Sequence, residues 1–383
     1  MTTWHMLTGE YPACRAEASG EGGPASGGVG DYTHALACEL LRRGHSVHVW
    51  SPSVAPHAGD GAIQLHPLPD AFGARARAVL QSGWDALPGT VLLQYVPNAL
   101  GAGGLNLPFC RWLQRRGSAR DVRVMFHEPY FYFSWNPVGN LRAVVQRLMA
   151  RLLIEASRSI YLSTETWRRY LPSSTPAVVL PIPSTIPRCA DSAAVARFRS
   201  AVAAGSATEV VGHFGTYGDH VARELEPIVP LILGARPSAH FLCIGRRGDR
   251  FAGALRAQHP ALAARIHHTG SLSAKDAAAA IRACDVMVQP YPDGVTTRRT
   301  SVMAPLANGV ATVSTAGDLT EPVWSETSAV ALEPAGAAGA VAAKVVQLLE
   351  APSARAALSH AGRRAYDAHF SIERSVDTLL SAR

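Results

Sequence analysis

Residues 283–317 read ACDVMVQPYPDGVTTRRTSVMAPLANGVATVSTAG, one complete repeat of strand, helix and strand. The apolar run Val286–Gln289 predicts a buried strand, and PYPDG predicts a turn. The segment from Thr296 to Asn308 predicts a helix, with Asn308-Gly309 at its C-terminal cap. A second apolar run, Ala311–Ser314, follows at once. This order is typical of a parallel sheet covered by helices.

The same alternation extends through the chain in two series. The first series of predicted strands is Trp4–Leu7, Ser46–Trp50, Val91–Tyr95, Val122–Phe126, Ser159–Ser163 and Val178–Leu180. The second is Val210–Phe214, Ala239–Ile244, Ile266–Thr269, Val286–Gln289, Ala311–Ser314 and Ala329–Leu332. Because each series has its own glycine-punctuated first turn, the sequence predicts an α/β fold of two tandem Rossmann-like doubly wound domains.

The join between the domains is predicted within Leu180–Ser200, where PIPSTIP places three prolines in seven residues. The predicted domains are therefore residues 1–185 and 186–367. The closing segment HFSIERSVDTLLSAR predicts a terminal helix within 368–383, with Ser371 as its N-cap residue.

Composition leaves several anionic partners open. The chain has 383 residues, of which 48% are apolar, so it can bury real cores. Thirty-six basic against 29 acidic residues give a net charge of +7, and Lys275 and Lys344 are the only lysines. Guanidinium groups match phosphate oxygens, so the arginine excess suits phosphate ligands, polyanions or an acidic membrane, although biased composition alone would also produce it.

Other classes are excluded or disfavoured. The six cysteines are isolated and the histidines lack ligand spacing, so neither a disulfide framework nor a zinc site is expected. The start of the chain lacks the pattern of a signal peptide and no apolar run reaches spanning length, which predicts a cytoplasmic protein. Nucleic-acid binding is disfavoured because the basic residues are not interleaved with aromatics in any recognised module.

Three glycine- or hydroxyl-rich turns are candidate anion sites. In SGGVGDYTHALACELLRRGHSVHVW, residues 26–50, Gly27, Gly28 and Gly30 precede a predicted helix. The spacing is not the dinucleotide fingerprint, and Trp50 stands where that motif needs an acid. A flexible loop is the alternative.

The other two turns lie in the second series. Gly215 and Thr216 follow the strand 210–214, where an ordinary turn is the alternative. Thr297, Arg298, Arg299 and Thr300 begin the predicted helix of the opening stretch. Because a helix N-terminus carries unpaired N–H groups and a positive dipole end, the sequence predicts a diphosphate site here, with solvated surface arginines as the alternative.

Further candidates follow predicted strands, at the edge where open α/β sheets bind ligands. His127 and Glu128 follow the strand 122–126, and Gln94-Tyr95 ends the strand before it. Arg246 lies in the loop after Ile244. A structural hydrogen-bonding pair is the alternative reading of His127-Glu128.

Together these segments resemble the retaining glycosyltransferases of the GT-B fold, most of all the family-4 group (glycosyl transferases group 1). The resemblance is carried in order and spacing by GGVGDYTHALACELLRRGHSVHVW, FHEPY, VVGHFGTYG, HHTGSLSAKDAAAAIRACDVMVQPY, LANGVATVST, the Glu321-Pro-Val stretch and HFSIERSVDTLL. It implies an interdomain cleft, a nucleotide-sugar donor held mainly by the second domain and an acceptor held mainly by the first. The acceptor would be a glycan, a lipid-linked molecule or a small molecule, as in polysaccharide biosynthesis. The terminal helix would pack back on the first domain.

The resemblance also implies roles for the candidates. His127 would contact the sugar, and Asp293 would position its hydroxyls as the second catalytic residue. Donor-binding residues would be Gly27, Gly28, Gly30, Gly215, Thr216, Arg246, Gly294, Thr297, Arg298, Arg299, Thr300 and Glu321. Gln94, Tyr95 and Glu128 would lie on the acceptor side. No metal or other cofactor is implied, and retention would need no protein nucleophile.

The sequence departs from the family at three positions. Members usually carry two glutamates separated by seven residues, and Thr296 and Ala304 stand at those positions here. After the first strand of the second domain, Thr216 stands where an arginine that contacts the diphosphate is common. Arg298 and Arg299 are predicted to supply this missing positive charge, assisted by Arg223 or Arg246. An impaired GT-B-like binding or partner protein, or a nucleotide-sugar epimerase, remains an alternative.

A basic helix is predicted over LRAVVQRLMARLLIEASRS, residues 141–159. Its apolar side would comprise Leu141, Val144, Val145, Leu148, Met149, Leu152 and Leu153, with Arg142, Arg147 and Arg151 elsewhere. Two interpretations stay open: an ordinary domain helix with a solvated side, or peripheral contact with the anionic inner face of a membrane.

Overall fold

The computed structural model describes residues 1–11, 28–54, 62–130, 137–202 and 208–381. The chain divides into two compact units. The first comprises Met1–Pro181 together with Ser375–Arg383, and the second comprises Ile182–Arg374.

The first unit is built on a seven-stranded, wholly parallel sheet in the order β3-β2-β1-β4-β5-β6-β7. Its strands are β1 (Thr3–Leu7), β2 (Ser46–Ser51), β3 (Ile63–Pro67), β4 (Thr90–Tyr95), β5 (Val122–Phe126), β6 (Ser159–Leu162) and β7 (Val178–Val179). Its helices are α1 (Gly28–Arg42), α2 (Ala74–Ala86), α3 (Leu107–Gly117) and α4 (Pro137–Ala156).

The second unit holds a six-stranded parallel sheet in the order β10-β9-β8-β11-β12-β13. Its strands are β8 (Glu209–Phe214), β9 (Ala239–Ile244), β10 (Ile266–Gly270), β11 (Val286–Gln289), β12 (Ala311–Ala316) and β13 (Ala331–Pro334). Its helices are α5 (Ser192–Val202), α6 (Asp219–Ala235), α7 (Gly248–Gln258), α8 (Ala274–Arg282), α9 (Thr300–Ala307), α10 (Val323–Thr327), α11 (Ala338–Glu350) and α12 (Pro352–Ala365).

Both sheets have the doubly wound order that the sequence predicts. The direction of winding reverses between β1 and β4 in the first unit, and between β8 and β11 in the second. The carboxyl ends of strands at such a reversal are where this type of sheet binds ligands. All five residues of β5 are buried, as expected when helices cover both faces of a parallel sheet.

The last helix is α13 (Ile372–Ser381), whose residues from Ser375 onward belong to the first unit and include the buried Ser375, Val376 and Leu379. The Ser371 hydroxyl accepts a hydrogen bond from the Arg374 N–H (3.4 Å), the bond expected of an N-cap residue. Farther along the helix, Arg43 forms an ion pair with Asp377.

Three local predictions are wrong. No strand is predicted at β3, whose residues Ile63–Pro67 are mostly not buried, as on a sheet edge with little apolar signal. The strand predicted at Ala329–Leu332 lies at Ala331–Pro334. The helix predicted from Thr296 begins only at Thr300. The boundary between the two units, after Pro181, falls within the segment Leu180–Ser200 in which the join is predicted.

Candidate functional site

In both units the predicted site residues that the structure describes lie, apart from the glycines of α1, at the carboxyl edge of a sheet. Gln94 and Tyr95 end β4, and His127 and Glu128 follow β5. Those of the second unit follow four strands: Gly215 and Thr216 after β8, Arg246 after β9, Asp293 to Thr300 after β11, and Glu321 after β12.

His127 is held from several sides. Its Nε2 lies 2.7 Å from the Oε1 of Gln94, and its ring meets the edge of Tyr32 at 5.4 Å. Its backbone carbonyl accepts hydrogen bonds from the Trp167 indole (2.8 Å) and the Ser163 hydroxyl (3.2 Å). With only 7% of its surface exposed, this imidazole has a fixed direction, as a group that positions a ligand requires.

The side chains of Gln94 and Tyr95 point to opposite faces of the sheet, as those of successive residues in a strand do. Both are fully buried: Gln94 bonds to His127, whereas Tyr95 lies in the apolar core and meets Phe126 edge-on at 5.1 Å. Burial raises the pKa of Tyr95 well above its usual value. The structure therefore corrects the acceptor-side prediction for Tyr95, which is a core residue. Glu128 is half-buried.

The glycines of the first turn are also placed differently from the prediction. Gly28 and Gly30 do not precede the helix but form the first turn of α1, and Gly27 lies outside the described residues. The N–H groups of the first helical turn make no hydrogen bonds within the helix, so glycine is tolerated there. A side chain at Gly28 would meet no atom within 4 Å, so no close protein contact explains this glycine.

Glu321 organises the loop between β11 and α9. Its carboxylate accepts hydrogen bonds from the Thr297 backbone N–H (2.5 Å), the Thr297 hydroxyl (2.6 Å) and the Trp324 indole (3.2 Å). All three residues are buried. With three protein donors on it, Glu321 is a residue that positions Thr297 and its neighbours.

The same loop is tied to the segment after β12. The Asp293 carbonyl accepts a hydrogen bond from the Leu319 N–H at 2.9 Å, and the Asp293 side chain is exposed. Gly294 has φ of +88°, and a Cβ there would lie 2.2 Å from the Thr320 hydroxyl oxygen and 2.4 Å from the Gly317 nitrogen. Only glycine fits this close approach.

Helix α9 begins at Thr300, and Arg299 occupies its N-cap position. The Arg299 guanidinium lies over the ring of Tyr291, 4.9 Å from its centroid, and the Tyr291 hydroxyl is 2.7 Å from the hydroxyl of Ser301. Burial raises the pKa of Tyr291 to about 12. Arg298 and Arg299 are both half-buried. Tyr291, which the sequence did not single out, directs Arg299.

The two positions of the missing glutamates are both buried. Ala304 packs in an apolar cluster with Met287 and Val310. The hydroxyl oxygen of Thr296 has no hydrogen-bond partner among the described residues. The structure thus offers no carboxylate at either position.

The loops after β8 and β9 meet through their backbones. A Cβ on Gly245, whose φ is +113°, would lie 2.3 Å from the carbonyl oxygen of Gly215. Thr216 and Arg246 are exposed. Tyr217, which follows Thr216, has a φ of +51°, an uncommon value for a residue with a bulky side chain. Its hydroxyl donates a hydrogen bond to the His213 carbonyl (2.9 Å). Backbone strain of this kind clusters at functional turns, and it is visible in the dihedral angles and not in the sequence.

Among the described residues, no group of three or more His, Cys, Asp and Glu side chains is arranged to hold a metal ion. The described helices also include none with the length and apolar character needed to cross a bilayer.

Residues 209–351 match the family model described as glycosyl transferases group 1. The match confirms the resemblance to glycosyl transferases group 1 over these residues, which contain β8 to β13 and the loop held by Glu321. No curated protein matches the sequence.

Solved glycosyltransferase structures match the chain over its whole length at low identity. Sucrose-phosphate synthase from Thermosynechococcus elongatus has a TM-score of 0.71 and 14% identity, covering 99% of this chain and 98% of its own. HepE from Anabaena, in complex with UDP and glucose, has a TM-score of 0.68 and 12% identity, covering 100% of both chains. WaaG, a glycosyltransferase involved in lipopolysaccharide biosynthesis, has a TM-score of 0.65 and 13% identity, covering 99% of both. These similarities confirm the predicted GT-B fold.

Proposed function

We propose that this protein is a retaining glycosyltransferase that moves a sugar, in the manner of a hexosyltransferase, from a nucleotide-diphosphate donor to a glycan, lipid-linked or small-molecule acceptor. The observation that carries the proposal is the start of α9: two half-buried arginines at a helix N-terminus, in a loop fixed by Glu321, within the segment that matches the glycosyltransferase family model. HepE, a structure of similar fold, was solved with UDP and glucose, which makes UDP-sugars the first donors to test.

The chemistry required at α9 is stabilisation of a leaving group. When the bond from the anomeric carbon to the diphosphate breaks, negative charge grows on the phosphate oxygens. Preorganised N–H groups and guanidinium groups lower the energy of that charge without reorganising during the reaction. Tyr291 holds Arg299 in place, and Thr300 adds a hydroxyl at the same helix start, whereas the Thr297 hydroxyl donates to Glu321.

We assign the sugar to His127 and to the loop at Asp293 and Gly294. A neutral imidazole offers one hydrogen-bond donor and one acceptor, and the bond of its Nε2 to Gln94 holds the ring in one direction beside the carboxyl end of β5. Retention without a protein nucleophile has the leaving phosphate accept the proton of the acceptor hydroxyl. The proposal includes no metal, so chelation by EDTA is expected to leave the rate unchanged.

A second candidate is a GT-B-like binding protein without turnover. Buried Ala304 and Thr296 favour it, because neither position offers the carboxylate usual in the family.

Donor hydrolysis and transfer separate the candidates. The full chain is incubated with UDP-, GDP- and ADP-hexoses, and release of the nucleoside diphosphate and the anomer of the freed or transferred sugar are followed by chromatography and NMR. We expect release from one nucleotide class with retained configuration, reduced about 100-fold or more in His127→Ala. Binding of a donor without release supports the second candidate, and a donor converted to its epimer identifies an epimerase. Failure of every nucleotide sugar to bind contradicts the glycosyltransferase.

A further inference from the structure

The outer face of α4 carries an apolar stripe that the fold does not bury. Leu141, Val144 and Leu148 are 68%, 51% and 44% exposed, and they recur at the i, i+3, i+7 spacing of one helical face. The sequence predicts these three residues on one apolar side of the helix together with Met149 and Leu153. The structure buries Met149 and Leu153 and turns the other three to solvent.

The buried face of α4 explains this orientation. Ala143, Gln146 and Ala150 are buried, and the Gln146 side chain donates to the Gly104 carbonyl at 3.2 Å. These residues and Met149 and Leu153 occupy the side of the helix opposite the stripe, at 3.6 residues per turn. The unit therefore has its own contacts for α4, and the exposed stripe serves no packing role within the described residues of the unit.

The surroundings of the stripe are strongly basic. Helices α3 and α4 carry six arginines and one carboxylate: Arg111, Arg115, Arg116, Arg142, Arg147, Arg151 and Glu155. The two helices are neighbours, joined by a hydrogen bond from Gln114 to Glu155 at 2.5 Å. The one carboxylate also pairs with Arg151 at 3.0 Å. Arg111 and Arg115 are exposed and form no ion pair with the residues that the structure describes.

An apolar stripe flanked by arginines fits one kind of surface. Apolar side chains enter the boundary between lipid headgroups and acyl chains, while guanidinium groups bind the lipid phosphates. A second copy of this chain fits poorly, because a two-fold contact through the stripe would bring two arginine-rich faces together.

We propose that the stripe of Leu141, Val144 and Leu148 on α4, together with the exposed Arg111 and Arg115 of the neighbouring helix α3, docks the protein on an anionic lipid bilayer. This docking does not rest on the proposed glycosyl transfer. It concerns exposed residues that take no part in the candidate site.

Vesicle cosedimentation of the full chain tests the docking. Vesicles of phosphatidylcholine alone are compared with vesicles that also contain phosphatidylglycerol. We expect binding only to the anionic vesicles, weakening as salt is added. The apolar variant L141Q/V144Q/L148Q is expected to lower the partition coefficient by about tenfold or more. The charge variant R111Q/R115Q is expected to lower it by about 30-fold, from roughly fivefold per arginine.

Matched variants control for composition. V79Q/L87Q/L231Q removes three apolar side chains of similar exposure (40%, 46% and 47%) from other surfaces. R197Q/R364Q removes two exposed arginines of the second unit. Both controls are expected to bind like the wild type. Circular dichroism and donor binding should be unchanged in every variant, so that loss of docking is distinguishable from misfolding and from failure of the proposed function.

Three results would overturn the proposal. One is absence of binding to anionic vesicles. Another is an apolar variant that binds as well as the wild type, which would show that binding is nonspecific electrostatic adsorption without a role for the stripe. The third is a dimer in analytical ultracentrifugation that the apolar variant abolishes, which would make the stripe an interface between copies.

Discussion

The contact between Gln94 and His127 shows how a site depends on the register of two strands. β4 pairs with β5 so that Gln94 lies beside Met125 and Tyr95 beside Phe126. This register brings the Gln94 amide to the ring of the residue that follows β5. Both residues were predicted from their positions after strands, but the bond between them requires the register, which the sequence does not contain.

At this scale we predict that Gln94→Leu slows sugar release or transfer while leaving the fold intact. The Nε2 of Gln94 has no hydrogen-bond partner among the described residues, so leucine removes little besides the bond to His127. Loss of one orienting bond is expected to lower kcat about tenfold with little change in KM. Steady-state kinetics with the donor that the wild type accepts measures both constants. Unchanged kcat in a folded variant would show that Gln94 does not orient His127.

Glu321 marks the limit of residue-level prediction in the second unit. Its position before Pro322 and Val323 indicated importance through resemblance alone, and donor contact was the role implied. The structure shows a carboxylate surrounded by Thr297 and Trp324. The pairing joins residues 24 positions apart in sequence, and no local pattern indicates it.

At the scale of elements, the loop between β11 and α9 depends on Gly294. Its φ of +88° disfavours any L side chain, and the space for a Cβ is filled by Thr320 and Gly317. The PYPDG turn was predicted from sequence because proline and glycine are turn formers. The contact with the segment after β12 could not be predicted, since it depends on how β12 exits the sheet.

We predict that Gly294→Ala lowers the free energy of unfolding by about 2 kcal/mol or more, because the methyl group must displace the neighbouring backbone. Gly234, in α6, is the matched control: a Cβ there meets nothing within 4 Å, so Gly234→Ala is expected to stabilise the protein by up to about 1 kcal/mol. Urea unfolding of both variants gives the comparison. Equal effects of the two substitutions would contradict the role of Gly294.

Helix α4 gives the clearest element-level difference between sequence and structure. Its helical period was predicted, but seven apolar residues around a 20-residue helix do not define which half is buried. Gly104 and the neighbouring α3 decide that, through contacts distant in sequence.

At the scale of the whole molecule, buried histidines make stability depend on pH. His5 in β1 accepts a hydrogen bond from the Trp50 indole (3.1 Å) on Nδ1, so its proton is on Nε2, which donates to the Leu87 carbonyl (2.8 Å). Burial, with smaller contributions from His48, His66 and Arg120, lowers the pKa of His5 to about 4. Both nitrogens of the neutral His5 ring therefore form hydrogen bonds, and a second proton, on Nδ1, would point at the N–H of the Trp50 indole.

We therefore predict that acid destabilises the first unit before its carboxylates titrate. The folded pKa of about 4 lies below the unfolded value of 6.5, so the unfolded state binds the proton first, and stability present above pH 6.5 is lost as the pH falls toward 4. The loss from His5 between pH 7 and 5 is roughly 2 kcal/mol. Urea unfolding followed by tryptophan fluorescence measures it. His5→Gln should flatten this dependence, and an equally steep dependence in that variant would exclude His5 as its source.

The proposed binding of a nucleoside diphosphate by the second unit, at the start of α9, is tested by calorimetric titration with UDP, GDP and ADP. The control is R197A/R364A, which removes two exposed arginines from the same unit. We predict that one diphosphate binds the wild type and the control equally, and that R298A/R299A weakens its binding by about 100-fold, since each charge-assisted hydrogen bond contributes roughly 1.5–3 kcal/mol. An unchanged dissociation constant in R298A/R299A would contradict the proposal.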